Sequence, residues 1–260
     1  MSSDVLVETK GRTTTVTLNR PEARNSLTRA SLVAIAEAFE VAARSRDVRC
    51  VVLTGAGSHF CAGADLRQSF AEDPNLMDHL EEVLGRYHRV IRAIVRCPKP
   101  TIAAIDGAAV GFGADLAFAC DLRVATTAAY LQEKFVKIGL MPDGGGTFWL
   151  PRLVGTSRAL RAILLAEKLE AKTLDDLGLL VKLVAPTELA AATKALSDEI
   201  EKGPPLAHAK AKAAIYASLG DFEQALAREY EGQLTLLRSQ DCLEGVMAWS
   251  QKRDPDFKGE

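Results

Sequence analysis

The sequence predicts an α/β protein, a mainly parallel sheet with helices packed around it, followed by an all-helical extension. Three observations lead there. Short apolar strands alternate with amphipathic helices as far as Ala125. Strand-to-helix steps pass through turns of small residues, and beyond about residue 156 the strand signal nearly vanishes.

Residues 4–9 and 13–18 alternate and are rich in Val and Thr, with Lys10-Gly11-Arg12 between them, which is the pattern of a β-hairpin. Pro21 ends the second strand. Thr28 can cap a helix whose Leu32, Ile35, Ala36 and Phe39 recur at helical spacing, and Val48–Leu53 follows as a mostly buried strand. The stripe Leu76, Leu80, Val83, Leu84, Tyr87, Ile91 and Ile94 marks a helix over 76–96, which passes through Pro98-Lys99-Pro100 into a strand at 101–106. The stretch from Ile102 to Leu116 reads as a buried strand that breaks at glycines and restarts as a helix, with Asp115 one turn inside. Leu122–Ala125 is the next strand. Helical patterns then cover 156–168, 186–202, 205–219 and 221–251, with one short apolar stretch at Leu179–Val184. Gly203-Pro204-Pro205 is the clearest internal break. The expected division is an α/β core over 1–200 and a helical region over 201–260 that covers the active site or makes subunit contacts.

Composition narrows the function. A chain of 260 residues, 48% hydrophobic and 25% charged, can bury a full core. A formal net charge of −2 and basic residues spread along the chain argue against a nucleic-acid partner. No apolar run approaches the roughly 18 residues that span a bilayer, and the start at Met1 has no signal-peptide pattern, so no membrane partner and a cytoplasmic location are expected. The five cysteines are scattered and never form a C-x-x-C pair, so they read as reduced thiols. Cys61, in a glycine-rich turn, reads as small buried filler rather than a nucleophile. His59, His79, His88 and His208 lack metal-ligand spacing, and no metal is expected.

Two segments share one design. Val51–Thr54 runs into Gly55-Ala-Gly57-Ser-His-Phe60-Cys-Ala62-Gly63-Ala64-Asp65-Leu66, and Ile102–Asp106 into Gly107-Ala-Ala-Val110-Gly111-Phe112-Gly113. The first contains Gly55-x-Gly57-x-x-Phe60, an incomplete dinucleotide fingerprint without its third glycine or a following acid, so a nicotinamide oxidoreductase is disfavoured. Two such turns can present two N–H groups to one oxygen, as a thioester enolate requires, at roughly 3 to 4 kcal/mol per donor. A third segment, Met141-Pro142-Asp143-Gly144-Gly145-Gly146-Thr147, holds an acid in a rigid turn. Asp143 either caps the following helix or points into a cleft. Asp115 either offsets its helix dipole or serves chemistry.

These residues resemble the crotonase superfamily, the enoyl-CoA hydratases and isomerases, across essentially the whole chain. The resemblance rests on Asn19-Arg20-Pro21-Glu-Ala-Arg24-Asn25-Ser-Leu27, on Phe60–Leu66, on Gly107-x-x-x-Gly111-x-Gly113-x-x-Leu116 with Cys120-Asp121, and on Gly139-Leu-Met-Pro142-x-Gly144-Gly-Gly-Thr147 with Leu153-Val-Gly155. It implies a core of repeated β-β-α units wound as a spiral. It also implies that Ala64 and Phe112 supply the two N–H groups that hold the thioester oxygen, Phe112 standing in place of the usual glycine. Arg24, Ala62, Asp65 and Leu66 would lie along the CoA nucleotide, and Lys252 and Phe257 would approach it from the tail. No cofactor is implied beyond the coenzyme A of the substrate thioester, and a homotrimer or dimer of trimers is expected.

Family hydratases hold a water between two glutamates. Here Asp115 occupies the first place and Phe135 the second, and a phenyl ring cannot deprotonate water. Asp143 stands where dienoyl-CoA isomerases, and isomerases of epoxides or oxepins in aromatic degradation, place an aspartate. The resemblance therefore favours an isomerase that shifts a double bond, with Asp115 and Asp143 as acid and base. The alternatives are a hydratase adding water to a 2-enoyl-CoA and a non-catalytic CoA-binding protein. Acyl specificity would depend on pocket residues such as Phe70, Leu76, Leu84, Phe112, Phe135 and Trp149.

Overall fold

The computed structural model describes residues 3–72 and 75–258. β1 (Val5–Lys10) and β2 (Thr13–Leu18) form the expected hairpin, with Val5 opposite Leu18 and Lys10 opposite Thr13. Thr28 caps α1 (Arg29–Arg44): its Oγ accepts from the Ser31 N–H at 3.0 Å, and Ser31 Oγ accepts from the Thr28 N–H in return. β3 (Cys50–Gly55) and α2 (Leu66–Glu72) follow. The helix expected over 76–96 starts as a tight 3₁₀ turn, Leu76–His79, and becomes α3 only at Leu80–Arg96. The side chains of Phe70 and Leu76 lie outside the described residues.

Next come β4 (Thr101–Ile105), β5 (Ala108–Val110), α4 (Phe112–Ala119), β6 (Leu122–Thr126) and β7 (Tyr130–Gln132). A 3₁₀ turn at Phe135–Ile138 leads to α5 (Gly146–Val154) and α6 (Thr156–Leu164). The chain continues through β8 (Leu169–Glu170), α7 (Ala171–Asp176), β9 (Lys182–Val184), α8 (Leu189–Lys202), α9 (Pro205–Ser218), α10 (Phe222–Leu237) and α11 (Gln240–Gln251).

Among the described residues the strands form two sheets, one ordered β1-β2-β3-β4-β6-β9 and one ordered β5-β7-β8. From β2 onward the larger sheet is parallel throughout. The spiral repeat is visible in how the sheets alternate. β4 in the large sheet leads to β5 in the small one and then to α4, and β6 leads to β7 and the 3₁₀ turn at 135–138. After β3, a single bridge at Cys61 takes the place of the small-sheet strand before α2.

Three expectations are corrected. The strand expected at 101–106 is β4, but the glycine-rich stretch expected to lead straight into a helix holds a further strand, β5, in the other sheet; the two divide at Gly107, whose φ is +54° and where a Cβ would stand 2.1 Å from the Ser58 carbonyl oxygen. The region after residue 156 is not all helical, because β8 pairs with β7 and β9 extends the large sheet beside β6. Strands of two and three residues are too short to show a period-2 pattern. The helix expected over 221–251 is two helices, with Ser239 capping the second by accepting from the Cys242 N–H.

Successive residues of β3 and β4 face opposite layers, which is why both strands are apolar without alternation. Val51, Leu53, Ala103 and Ile105 join the main core with Phe39, Ile91 and Phe112. Cys50, Val52, Ile102 and Ala104 form a second layer covered by Leu189, Leu196 and Ile200 of α8 and its start. α9 is tied to the core through Asp121, which accepts from Lys212 Nζ at 2.8 Å and Tyr216 Oη at 2.6 Å.

Candidate active site

The two glycine turns lie side by side. Cys61 makes an isolated parallel bridge to Ala109: its N–H donates to the Ala108 carbonyl and its carbonyl accepts from the Val110 N–H, both at 2.9 Å. Beyond this bridge Gly63 comes against the start of α4, and the next residue, Ala64, is bridged to Leu27. Gly63, at φ +89°, makes the approach possible, since a Cβ there would stand 2.8 Å from the Val110 carbonyl oxygen and 3.6 Å from the Phe112 nitrogen. Gly111, at φ +54°, ends the strand and starts α4 at Phe112. Among the described residues neither the Ala64 nor the Phe112 N–H has a hydrogen-bond partner. Two unpaired donors from separate turns thus lie near one end of the small sheet, and donors of this kind can stabilise an oxyanion that they both reach. The Phe112 ring turns inward and meets Tyr87 edge-on, with centroids 4.7 Å apart.

One of the candidate acids, Asp115, lies in the first turn of α4, three residues after Phe112. Asp115 is fully buried; its Oδ2 accepts from the Gly144 N–H at 3.1 Å, and its Oδ1 has no partner among the described residues. Asp143 is buried, its Oδ2 accepts from Gln233 Nε2 at 2.9 Å, and its Oδ1 is likewise without a partner among the described residues. Asp143 does not cap α5. The cap comes from α10, where Glu229 accepts from the Gly145 N–H at 2.7 Å, the Thr147 N–H at 2.9 Å and the Thr147 hydroxyl. Asp143 is thereby left buried in the interior rather than at the helix start.

Burial is the main cause of the shifted titrations. It pushes Asp143 from the usual carboxylate range up to about 7, opposed by the Gln233 hydrogen bond and aided by the charge of Glu229. Asp115 is held well above its ordinary value by burial and then by Glu133, Glu229 and Asp143. Glu133, unremarkable in sequence, belongs to the same cluster: it is buried, neither carboxylate oxygen has a partner among the described residues, and burial with its acidic neighbours raises it strongly.

The glycine run is explained by these acids. A Cβ at Gly144 would stand 2.6 Å from Asp115 Cβ, and one at Gly146 would stand 2.8 Å from Asp115 Oδ1 and 3.0 Å from Glu133 Oε1. The Phe135 ring lies 3.8 Å from the point where a Gly111 Cβ would be, so an aromatic face stands beside the donor turn. Trp149 packs instead with Phe148, Tyr216 and Phe222.

The other expected contacts divide. Arg24 is exposed, in the left-handed region at φ 53°, and its carbonyl accepts from the Ala62 N–H at 3.0 Å, so those two are neighbours. Leu66 opens α2 beside them, half-buried. The Asp65 carboxylate is engaged within the chain by Arg20 at 2.9 Å, Ser26 at 3.0 Å and the Gln68 N–H at 3.0 Å. Burial opposes these contacts, but together they hold Asp65 below the usual carboxylate range. Lys252 follows α11 and Phe257 lies further along the tail. Among the described residues no hydrogen bond or ion pair joins either to Arg24, Ala62, Asp65 or Leu66. Cys61 is buried and its thiol is pushed up to about 12, chiefly by burial, which fits filler rather than a nucleophile.

Sequence reasoning missed Glu133, Glu229 and Gln233. The available signal was the spacing of Glu229 and Gln233, four residues apart on one face of a helix. Nothing in the sequence shows which turn that face meets.

The sequence model of the enoyl-CoA hydratase/isomerase family matches residues 8–260. A probable enoyl-CoA hydratase of Rhodobacter capsulatus is 40% identical over 246 residues, covering 94% of this chain and 93% of the relative. A 1,2-epoxyphenylacetyl-CoA isomerase of Escherichia coli is 36% identical over 247 residues, covering 94% of each. The crystal structure of an enoyl-CoA hydratase from Mycobacterium avium subsp. paratuberculosis superposes with a TM-score of 0.89 at 36% identity, covering 98% of each chain.

Proposed function

The chain belongs to the enoyl-CoA hydratase/isomerase family, and we propose that it is an isomerase that shifts a double bond in an unsaturated or aromatic-derived acyl-CoA. The observation that supports this reading is the Phe135 ring beside the donor turn, at the position where the resemblance to hydratases implies a second glutamate. A ring there cannot activate water, whereas a proton shift needs only one movable proton and a stabilised enolate.

In this reading the Ala64 and Phe112 N–H groups donate to the thioester oxygen and stabilise the negative charge that gathers on it. Asp143 takes a proton from carbon: the C–H bond breaks, an O–H bond forms on the carboxylate, and the electron pair passes into the enolate. Return of a proton to a different carbon, from Asp143 or from Asp115, re-forms the thioester with its double bond moved. No redox partner is needed. An aspartate near 7 is matched to both halves of this cycle, being ionised enough to accept and acidic enough to return the proton.

Hydration is the second reading, favoured by one observation. The partner-free oxygens of Asp115 and Glu133 both stand within 3.0 Å of the Gly146 Cβ position, so two carboxyl groups converge at one point. A panel of acyl-CoAs in deuterium oxide separates the readings. Isomerisation gives deuterium wash-in at carbon and a shifted double bond, and Asp143→Asn is expected to lower that turnover by about 10²–10⁴-fold. Unchanged turnover in Asp143→Asn would remove it as the base, and loss of the conjugated enone with water gained would establish hydration.

A further inference from the structure

Two side chains of α10, one helical turn apart, hold the whole segment that carries Asp143. Glu229 accepts from the Gly145 and Thr147 N–H groups and the Thr147 hydroxyl. Gln233 accepts from the Met141 N–H at 3.1 Å through Oε1 and donates to Asp143 Oδ2 at 2.9 Å through Nε2. The amide orientation follows from these two contacts together, because a main-chain N–H needs an acceptor, which leaves the NH₂ for the aspartate. Gln233 and Glu229 are both buried, so water does not substitute for either contact.

The NH₂ donor occupies one lone pair of Oδ2 and lowers that oxygen's basicity, which makes the two Asp143 oxygens unequal: Oδ2 is the poorer proton acceptor, and Oδ1 is buried with no partner among the described residues. We propose that Gln233 is a positioning residue for the proton transfer, holding Asp143 through Oδ2 so that Oδ1 alone takes and returns the proton. This inference rests on Asp143 being the base.

The charged and titratable groups around Asp143 come from every side. α3 supplies Tyr87 and the buried His88, both close enough for electrostatic coupling to the Asp143 segment. α4 supplies Asp115, the segment after β7 supplies Glu133, and α10 supplies Glu229. Within this mainly acidic surround, the Gln233 amide is the side-chain donor that favours the ionised aspartate. Its removal has a definite sign. Asp143 then holds its proton to higher pH, and the acidic limb of kcat/KM moves upward by about one pH unit or more.

The test uses Gln233→Met, which keeps the shape, and Gln233→Glu, which keeps an acceptor for the Met141 N–H but, when ionised, has no donor for Asp143. Both are compared with the parent by pH–rate profile and by infrared titration of a ¹³C-aspartate-labelled protein. The Asp143 band is assigned by its loss in Asp143→Asn. The expected result is an upward move of the acidic limb and the band midpoint in both variants, larger in Gln233→Glu. A fall in kcat with neither moving would overturn the proposal and leave Gln233 a purely structural contact. The infrared midpoint reads the Gln233–Asp143 bond whatever the reaction. A midpoint that moves while Asp143→Asn retains full turnover would overturn the positioning role together with the base assignment but uphold the bond, whereas a fixed midpoint overturns the bond itself.

Discussion

Asp115 Oδ1 and Glu133 Oε1 converge on Gly146, 2.8 Å and 3.0 Å from where a Cβ would stand. The two carboxyl groups come from α4 and from the segment after β7, and the missing side chain at Gly146 is what lets them lie against α5.

Gly146→Ala tests that packing. In an open helix, Gly to Ala stabilises by up to about 1 kcal/mol. Here the new methyl would meet Asp115, Glu133 and Pro142 Cβ, all at 3.0 Å or less. We expect the opposite sign, a loss of about 1–3 kcal/mol by denaturant unfolding. A neutral or stabilising result would show that the acids have room to move apart.

The stability of the protein should depend on Asp143 in a defined pH window. Its folded value, about 7, lies above its ordinary value of 3.8. The burial of Asp143 is thus best tolerated below about pH 4, and stability is lost as pH rises through 7. Asp143→Asn, which keeps an acceptor for Gln233, is expected to unfold with more difficulty than the parent at pH 8, by on the order of 3 kcal/mol. The difference should shrink toward zero near pH 4, as chemical denaturation at several pH values would show.

Phe135→Glu returns a carboxyl group to the face beside Gly111. If the missing second acid is what limits water addition, this variant should hydrate a short 2-enoyl-CoA on the order of tenfold faster than the parent. The measurement is ultraviolet loss of the conjugated enone. Hydration equal to the parent's would place the limitation elsewhere.

Glu229→Ala removes the side-chain cap of α5 and leaves two main-chain N–H groups without their acceptor. The expected loss is about 1–2 kcal/mol, or a fall in Tm of roughly 2–8 °C for a chain of this size. Glu229→Gln, which keeps an acceptor oxygen, should recover part of it. Equal stability of parent and Glu229→Ala would show that water replaces the cap.

Read alone, the sequence reveals the large-sheet strands and the long helices between them as far as Ala125, because burial on one or both faces sets a period that survives without tertiary information. It also marked Gly63 and Gly111 as turns and picked out Asp115 and Asp143, since glycines next to a helix start and acids among small apolar residues are local signals. Tertiary structure decided the rest. β5, β7, β8 and β9 are too short for periodicity, and their pairing spans the chain. Gly63, the neighbour of Ala64, comes against the start of α4 through the bridge between Cys61 and Ala109. Glu133 joins Asp115 only because Gly146 lets it, and Glu229 and Gln233 reach the Asp143 turn from a helix more than eighty residues away. A buried carboxyl group acquires its chemistry from what surrounds it, and those surroundings are assembled by packing rather than by neighbours in the chain.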